Sequence, residues 1–280
     1  MKEINQLNIK ICKIVFPVRA ISILILAFYS FSAVSTNTSI ASNLDKAKRY
    51  ASCMALARSE PQKAVDVAKD WFLAQGEGAA GHCYALALLN NGRYEDAARM
   101  FESLIKSKHQ AIYSMRADLF SQAGQAWLIA GKFKKALKAQ TRALGLKGSA
   151  VELLLDRAIT LAGLGNYWMA IDDLNAALDQ FPNHVNALIL RATAWRKLKN
   201  LQLAADDIAR ALDIAPENVD AILEIGNIRA LQGDWENAII EWRRVLEIDS
   251  KSNAAVAAKA NVARHEKPFK PKIPRYDHRF

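Results

Sequence analysis

The side chains with the greatest chemical reactivity in this sequence are three cysteines and five histidines. The cysteines are Cys12, Cys53 and Cys83, and the histidines lie at positions 82, 109, 184, 265 and 278. None of these spacings matches a metal-binding set. The sequence also has no glycine-rich phosphate loop and no motif that pairs a nucleophile with a base. We therefore expect no catalytic residues, no metal and no cofactor.

One reactive chemistry stays open, because two cysteines lie beyond the N-terminal region. Cys53 and Cys83 could form a catalytic or redox-sensing pair, although the sequence has no Cys-x-x-Cys motif of the kind that lowers a thiol pKa. A redox function is therefore kept as an alternative to a function in binding.

The elements that position these residues are clearest in residues 151–184, where the pattern predicts two amphipathic helices. Gly165 and Asn166 form the turn between them, and Pro182 ends the second helix. Small residues mark positions of close helix approach, and large apolar residues recur at helical spacing. The small residues are Ala158, Ala170 and Ala177, and the large ones are Leu154, Leu161, Tyr167, Leu174 and Leu178. A single helical hairpin cannot cover its own apolar face, so copies are expected on both sides.

The same pattern recurs along the chain at a constant period. A shift of 34 places Ala192, Ala204, Ala211 and Pro216 at the corresponding positions, and a further shift reaches Gly226 and Ala238. The pattern of an early small residue, a glycine turn, two alanines and a proline resembles the tetratricopeptide repeat family over roughly residues 45–252. This resemblance implies an all-α solenoid of about six helix-turn-helix repeats with a C-terminal capping helix.

The boundaries follow from this register. We expect an array over residues 42–266 and a basic, proline-rich tail over 267–280. The repeats are expected at 45–77, 78–111, 112–150, 151–184, 185–218 and 219–252, with a cap at 253–266 that Asn253 opens. Five extra residues near 110–116 predict either a longer helix or a kinked link in the third repeat.

Residues 1–41 have the composition of a secretory signal peptide. Basic residues precede an apolar run at 20–34, which is shorter than the roughly 20 residues of a membrane-spanning helix. Cleavage is expected after Ser35 or Ala41, which leaves an exported, periplasmic or secreted chain. An uncleaved signal would instead anchor the protein in the inner membrane.

The resemblance also implies a binding site, because the first helices of the family's repeats line a concave face that grips a peptide or a partner helix. The side chains expected on that face are Arg49, His82, Leu86, Ser121, Gln125, Leu155, Ile159, Ile189, Thr193, Arg196, Leu223 and Asn227. The centre of the face is apolar, as is typical of an interaction site.

The family's slots further imply a disulfide, because the positions of Cys53 and Cys83 converge in two neighbouring first helices. An exported chain meets the oxidising conditions that such a bond needs. Family members that clamp a peptide carboxylate use five positions, which are Arg49, Cys53, Cys83, Asp118 and Gln122 here. Only Arg49 keeps the charge, so we do not expect that mode of binding.

The charge of the whole chain, +10, is concentrated near its ends, and the array is nearly neutral. Together with the signal peptide, this disfavours nucleic acid as a partner. The sequence therefore predicts a non-enzymatic scaffold of the bacterial cell envelope that binds a protein or peptide. The alternatives are the redox function and a membrane-tethered assembly factor. The partner's identity and the oligomeric state are not predicted.

Overall fold

The computed structural model describes residues 44–76, 78–107 and 110–265, and within these ranges the chain forms thirteen helices and no strand. The chain divides into two compact units, residues 1–51 and 52–280. The described part of the first unit, residues 44–51, is helical. The predicted signal peptide and the predicted tail lie outside the described residues. None of the described helices combines the length and the apolar character that a membrane span requires.

The helices follow one another in pairs joined by short turns. Helix α1 covers residues 44–59. The others are α2 (Pro61–Gln75), α3 (Ala79–Asn90), α4 (Tyr94–Lys106), α5 (Gln110–Ile129), α6 (Phe133–Lys147), α7 (Val151–Gly163), α8 (Tyr167–Gln180), α9 (Val185–Lys197), α10 (Leu201–Ile214), α11 (Val219–Leu231), α12 (Trp235–Ile248) and α13 (Asn253–His265). The all-α solenoid of helix-turn-helix repeats is therefore confirmed.

The turns inside the hairpins explain the periodic glycine. Gly165 and Gly233 adopt φ values of 78° and 87°, a left-handed conformation that glycine reaches without steric cost. The fifth repeat has Lys199 at the corresponding position, and it adopts the same conformation with φ of 64°. This turn therefore forms despite an unfavourable residue, because the helices on either side of it are packed.

Small residues allow the two helices of each hairpin to approach closely. Ala158 and Ala192 are at most 1% exposed, and Ala170 and Ala204 on the facing helices are equally buried. In the sixth repeat a Cβ at Gly226 would lie 2.6 Å from Nε1 of Trp242, so only glycine fits there. Glycine thus replaces alanine at this position in the sixth repeat because the side chain on the facing helix is the large ring of Trp242.

Two ion pairs that the sequence reading missed join the helices of the central hairpins. Arg157 donates two hydrogen bonds to Asp173, at 2.6 and 2.7 Å, and Arg191 donates two to Asp207, at 2.7 and 2.8 Å. Both carboxylates are buried, so each would be costly without its arginine. The two pairs occupy the same positions in successive repeats and are part of the repeat pattern.

Two details of the predicted boundaries can be compared with the structure. The five extra residues of the third repeat belong to α5, which is 20 residues long. The cap of α13 was assigned to the wrong residue: Oγ of Ser252 accepts the hydrogen bond from Ala255 N at 3.1 Å, and Asn253 is the first helical residue. Ser252 sits one position earlier, where its hydroxyl reaches the orphan backbone N–H.

Candidate functional site: a groove across three first helices

The first helices of three successive repeats, α7, α9 and α11, line an open groove of about 580 Å³. Neighbouring members of this set contact each other directly. We call this site the central groove. Its lining residues are Glu152, Leu155, Asp156, Ile159, His184, Asn186, Ile189, Leu190, Thr193, Asp220, Leu223 and Glu224. It therefore brings together five of the predicted partner-binding residues: Leu155, Ile159, Ile189, Thr193 and Leu223.

The floor of the central groove is apolar. Leu155, Ile189 and Leu223 occupy the same position in three successive repeats, and each packs against the core beneath it. Ile189 is 9% exposed, and Leu155 and Leu223 are half-buried. Ile159 is 39% exposed and presents the most accessible apolar side chain of the site. The floor thus offers a shallow apolar strip and not a deep pocket.

Four carboxylates border this strip: Glu152, Asp156, Asp220 and Glu224. Glu224 is neutralised by Arg196, which donates hydrogen bonds to its two oxygens at 2.5 and 3.1 Å. Asp156 and Asp220 have no ion-pair partner among the described residues. The groove consequently carries a negative rim.

One rim residue is energetically unfavourable as an anion. Partial burial raises the pKa of Asp156, and the nearby charge of Glu152 raises it further. A cation placed between Glu152 and Asp156 would relieve both effects, since an opposite charge favours the ionised form. The groove is therefore suited to a ligand that presents an apolar surface together with a positive charge.

The sequence reading missed the rim, although the repeat register contains a signal for it. Positions 152, 186 and 220 are equivalent in three successive repeats, are all polar, and each comes three residues before an apolar floor position. Positions 156 and 224 also fall in one register and both carry carboxylates. Extending the register from the apolar slots to their neighbours on the helix would have identified the rim.

His184 is a further lining residue, and it has a second function. Its Nδ1 accepts a hydrogen bond from Ala187 N at 3.2 Å, so the side chain caps the N-terminus of α9. The capping bond makes Nδ1 the acceptor and leaves the proton on Nε2. This histidine is thus a fixed wall of the groove.

Two predicted partner-binding residues connect the groove to the C-terminal part of the array. Arg196 is held by Glu224, as described above. Asn227 donates to Glu224 at 3.2 Å and accepts hydrogen bonds from Trp242 and Asn261 at 3.2 and 3.1 Å. Both side chains are therefore engaged within the chain and support the wall that α11 provides.

The remaining predicted residues do not line the central groove. His82 is 5% exposed and donates from Nε2 to Oε1 of Gln122 at 2.9 Å. Burial lowers the pKa of His82 more than this bond raises it, so the ring is neutral at pH 7. Leu86 packs against the core, while Ser121 is half-buried and Gln125 is exposed on α5. Arg49 is an exposed helical residue of the first unit.

Cys53 and Cys83 form a disulfide between α1 and α3, with a Cα–Cα distance of 6.3 Å. The bond closes a loop with a sequence separation of 30 residues. In the chain-entropy model a loop of this size gives about 3–4 kcal/mol of stabilisation. The two residues are 4% and 0% exposed, so the bond is part of the core.

The positions that clamp a carboxylate in some family members are occupied by contacts within this chain. Cys53 and Cys83 are joined to each other, Gln122 binds His82, and Asp118 pairs with Lys147 at 2.8 Å. These contacts leave no cluster of donors for a carboxylate at those four positions. Among the described residues, no group of three His, Cys, Asp or Glu side chains has the arrangement of a metal site.

Comparison with known proteins agrees with the repeat geometry. The profile of the tetratricopeptide repeat family matches residues 85–151 and 155–219. No curated protein sequence matches the chain.

Several solved structures share the fold. MamA from Desulfovibrio magneticus RS-1 aligns with a TM-score of 0.54 at 18% identity, over 62% of this chain and 95% of that one. YrrB, described as a TPR protein with an unusual peptide-binding site, aligns with a TM-score of 0.51 at 18% identity, over 70% and 99% of the two chains. TTC0263, a TPR protein from Thermus thermophilus, aligns with a TM-score of 0.53 at 15% identity, over 65% and 97%.

At these identities the structural likeness concerns the fold alone. The repeat register, the helical hairpins and the family profile nevertheless agree on the same segments of the chain. Residues 85–151 and 155–219 of this chain therefore belong to the tetratricopeptide repeat family.

Proposed function

We propose that this protein is a non-enzymatic scaffold that binds a peptide or a helix of a partner protein in the central groove. The observation that carries the proposal is the apolar strip of Leu155, Ile189 and Leu223, which runs across three repeats and is bordered by carboxylates. Protein binding is the general function of tetratricopeptide repeats, and the similar protein YrrB is described as having a peptide-binding site.

We further propose that the protein functions in the bacterial cell envelope. The support is the signal-like composition of residues 1–41 and the Cys53–Cys83 disulfide, since such bonds persist outside the reducing cytosol. An N-terminal sequence of the exported protein would show whether the signal is cleaved. An intact N-terminus would favour the membrane-tethered alternative.

The redox alternative has less support. Cys53 and Cys83 are nearly fully buried, and reactive cysteines are partly exposed as a rule. The bond therefore fits a structural function, which fastens the first repeat to the second.

The proposal can be tested by selecting random displayed peptides on the full chain and measuring their affinity for two variants. Ile159→Lys changes the most exposed apolar residue of the groove and adds a repelling charge. Ile240→Lys makes the same change at a residue that is 57% exposed on α12, outside the groove. Both substituted residues are exposed, whereas Ile189 is buried and a change there would disturb the core.

We expect Ile159→Lys to weaken peptide binding at least about tenfold, because it removes an apolar contact and opposes a cationic ligand. Ile240→Lys should bind as tightly as the wild type. Equal affinity of the wild type and Ile159→Lys would place the binding site elsewhere on the chain.

A further inference from the structure

The C-terminal segment of this chain has the chemistry that the central groove is suited to. Residues 267–280 read KPFKPKIPRYDHRF and contain five Lys or Arg residues against one Asp, a net charge of +4. Apolar residues are interleaved with these cations, namely Phe269, Ile273, Tyr276 and Phe280. A peptide of this composition can place an apolar side chain on the strip and a cation on the rim.

Proline spacing in this segment also matches an extended ligand. Prolines at 268, 271 and 274 recur every third residue. In a polyproline II peptide this period places them on one side and leaves two other sides for the remaining residues. Phe269, Lys272 and Arg275 then share one side, which combines an aromatic ring with two cations.

The end of the last helix lies within reach of the groove. The ring of His265, at the end of α13, stacks on Trp235 with 4.3 Å between ring centroids. Trp235 is the first residue of α12, so the described chain ends beside the turn that joins α11 to α12. Helix α11 carries Asp220 and Glu224 near its other end.

The distances allow the segment to span the whole groove. The 13 residues of α11 place its ends about 18 Å apart. Crossing from α11 to α9 and α7 adds roughly 8–10 Å for each helix. Fourteen residues in polyproline II conformation span about 43 Å, which exceeds the path of roughly 38 Å.

We propose that residues 267–280 occupy the central groove of the same molecule and compete there with the partner peptide. This inference rests on the proposed function, because it assumes that the groove is a peptide site. The segment then acts as an internal competitor, which a partner of higher affinity must displace. Because the attraction is between opposite charges at a partly exposed site, it weakens as the salt concentration rises.

A photo-crosslinking residue placed at Tyr276 in the full chain tests the occupancy directly, because this position lies 11 residues beyond His265 and can reach about 34 Å in polyproline II conformation. We expect crosslinks within one molecule to peptides from α7 or α9, identified by mass spectrometry, whereas crosslinks to α11 alone do not count as occupancy because α11 contacts α13. The same residue placed at Val256, which is 68% exposed on α13, gives the background of random contacts. Absence of crosslinks to α7 and α9, or crosslinks only between different molecules, would overturn the proposal.

The contribution of charge is tested with matched acidic residues. Asp156→Asn with Asp220→Asn should lower the crosslinking yield severalfold. The control, Asp172→Asn with Asp213→Asn, makes the same charge change at exposed residues of α8 and α10 outside the groove. An equal loss of crosslinking yield in both double variants would mean that the overall charge of the protein, and not the groove, attracts residues 267–280.

A final measurement separates this inference from the proposed function. In the full chain, Lys267→Gln, Lys270→Gln, Lys272→Gln and Arg275→Gln together should make the groove bind a selected peptide about tenfold more tightly, because a tethered competitor acts at millimolar effective concentration. If the affinity is unchanged for a peptide whose binding still depends on Ile159, residues 267–280 do not compete in the groove. The groove then remains the peptide site. A chain that binds peptide independently of Ile159 would refute both.

Discussion

Gln140 on α6 is the residue whose replacement tests the core of this fold most sharply. Its side chain is fully buried, and neither its amide nitrogen nor its amide oxygen has a hydrogen-bond partner among the described residues. The corresponding positions of other repeats hold large apolar residues: Phe101, Leu174, Ile208 and Trp242. We predict that Gln140→Met stabilises the protein.

The expected gain follows from the two unpaired atoms. A buried polar group without a partner costs about 1–3 kcal/mol. Methionine is unbranched, is close to glutamine in size, and has a similar helix propensity, so it can follow the same path past Gly124. A Cβ at Gly124 would lie 2.7 Å from Cγ of Gln140, so this contact tolerates no added bulk. We therefore expect the free energy of unfolding to rise by about 2 kcal/mol.

Urea unfolding of the full chain, followed by far-UV circular dichroism, measures this change. Because repeat arrays need not unfold in one step, hydrogen exchange of α5 and α6 should be measured alongside. The matched control is Leu174→Gln, which introduces the same amide at the corresponding position of the next repeat and should cost about 3 kcal/mol. A loss of stability in Gln140→Met would mean that the amide has a partner, and the reasoning would be refuted.

Three further predictions concern the register, a strained turn and a rim carboxylate. Ala192→Leu should lower the free energy of unfolding by about 1–3 kcal/mol through overpacking, whereas Ala209→Leu on the exposed side of α10 should change it little; equal stability of the two variants would contradict the register. Lys199→Gly should raise the free energy of unfolding by about 0.5–1 kcal/mol, since a left-handed lysine is strained and glycine is not; thermal melts would show it, and a lower melting temperature would contradict it. Asp156→Asn should stabilise the protein at neutral pH, because the pKa of Asp156 is raised in the folded state and its ionisation opposes folding. Stability of the wild type therefore falls as pH rises from the usual aspartate range through the raised pKa, and the advantage of Asp156→Asn should disappear in acid, below both pKa values. An advantage that is equally large in acid would exclude this explanation.

Much of the fold could be predicted because the same pattern of residues recurs in every repeat. The alanines at 158, 192, 170 and 204 and the turn glycines fix the helix pairs without any long-range information. The Cys53–Cys83 bond was expected because the family's slots bring two neighbouring first helices together. The cap of α13 was assigned to Asn253 and not to Ser252, because the side chain of either residue can cap a helix.

The candidate site was predicted only in part, for reasons that lie in packing. His82 occupies a slot that faces the groove in the family, but α5 covers it through Gln122. The Arg157–Asp173 and Arg191–Asp207 pairs join residues 16 positions apart, and no local pattern links residues at that separation. Glu152, Asp156 and Asp220 look like ordinary surface acids in the sequence, and only the groove shows that they border an apolar strip.

The most direct test of the central claim is a hydrogen-exchange map of the full chain with and without a selected peptide. A ligand in the central groove should slow exchange in α7, α9 and α11, because it stabilises the three helices that it bridges. The second helices α4, α6 and α12 should change little. Protection confined to those second helices, with none in α7, α9 and α11, would contradict the account.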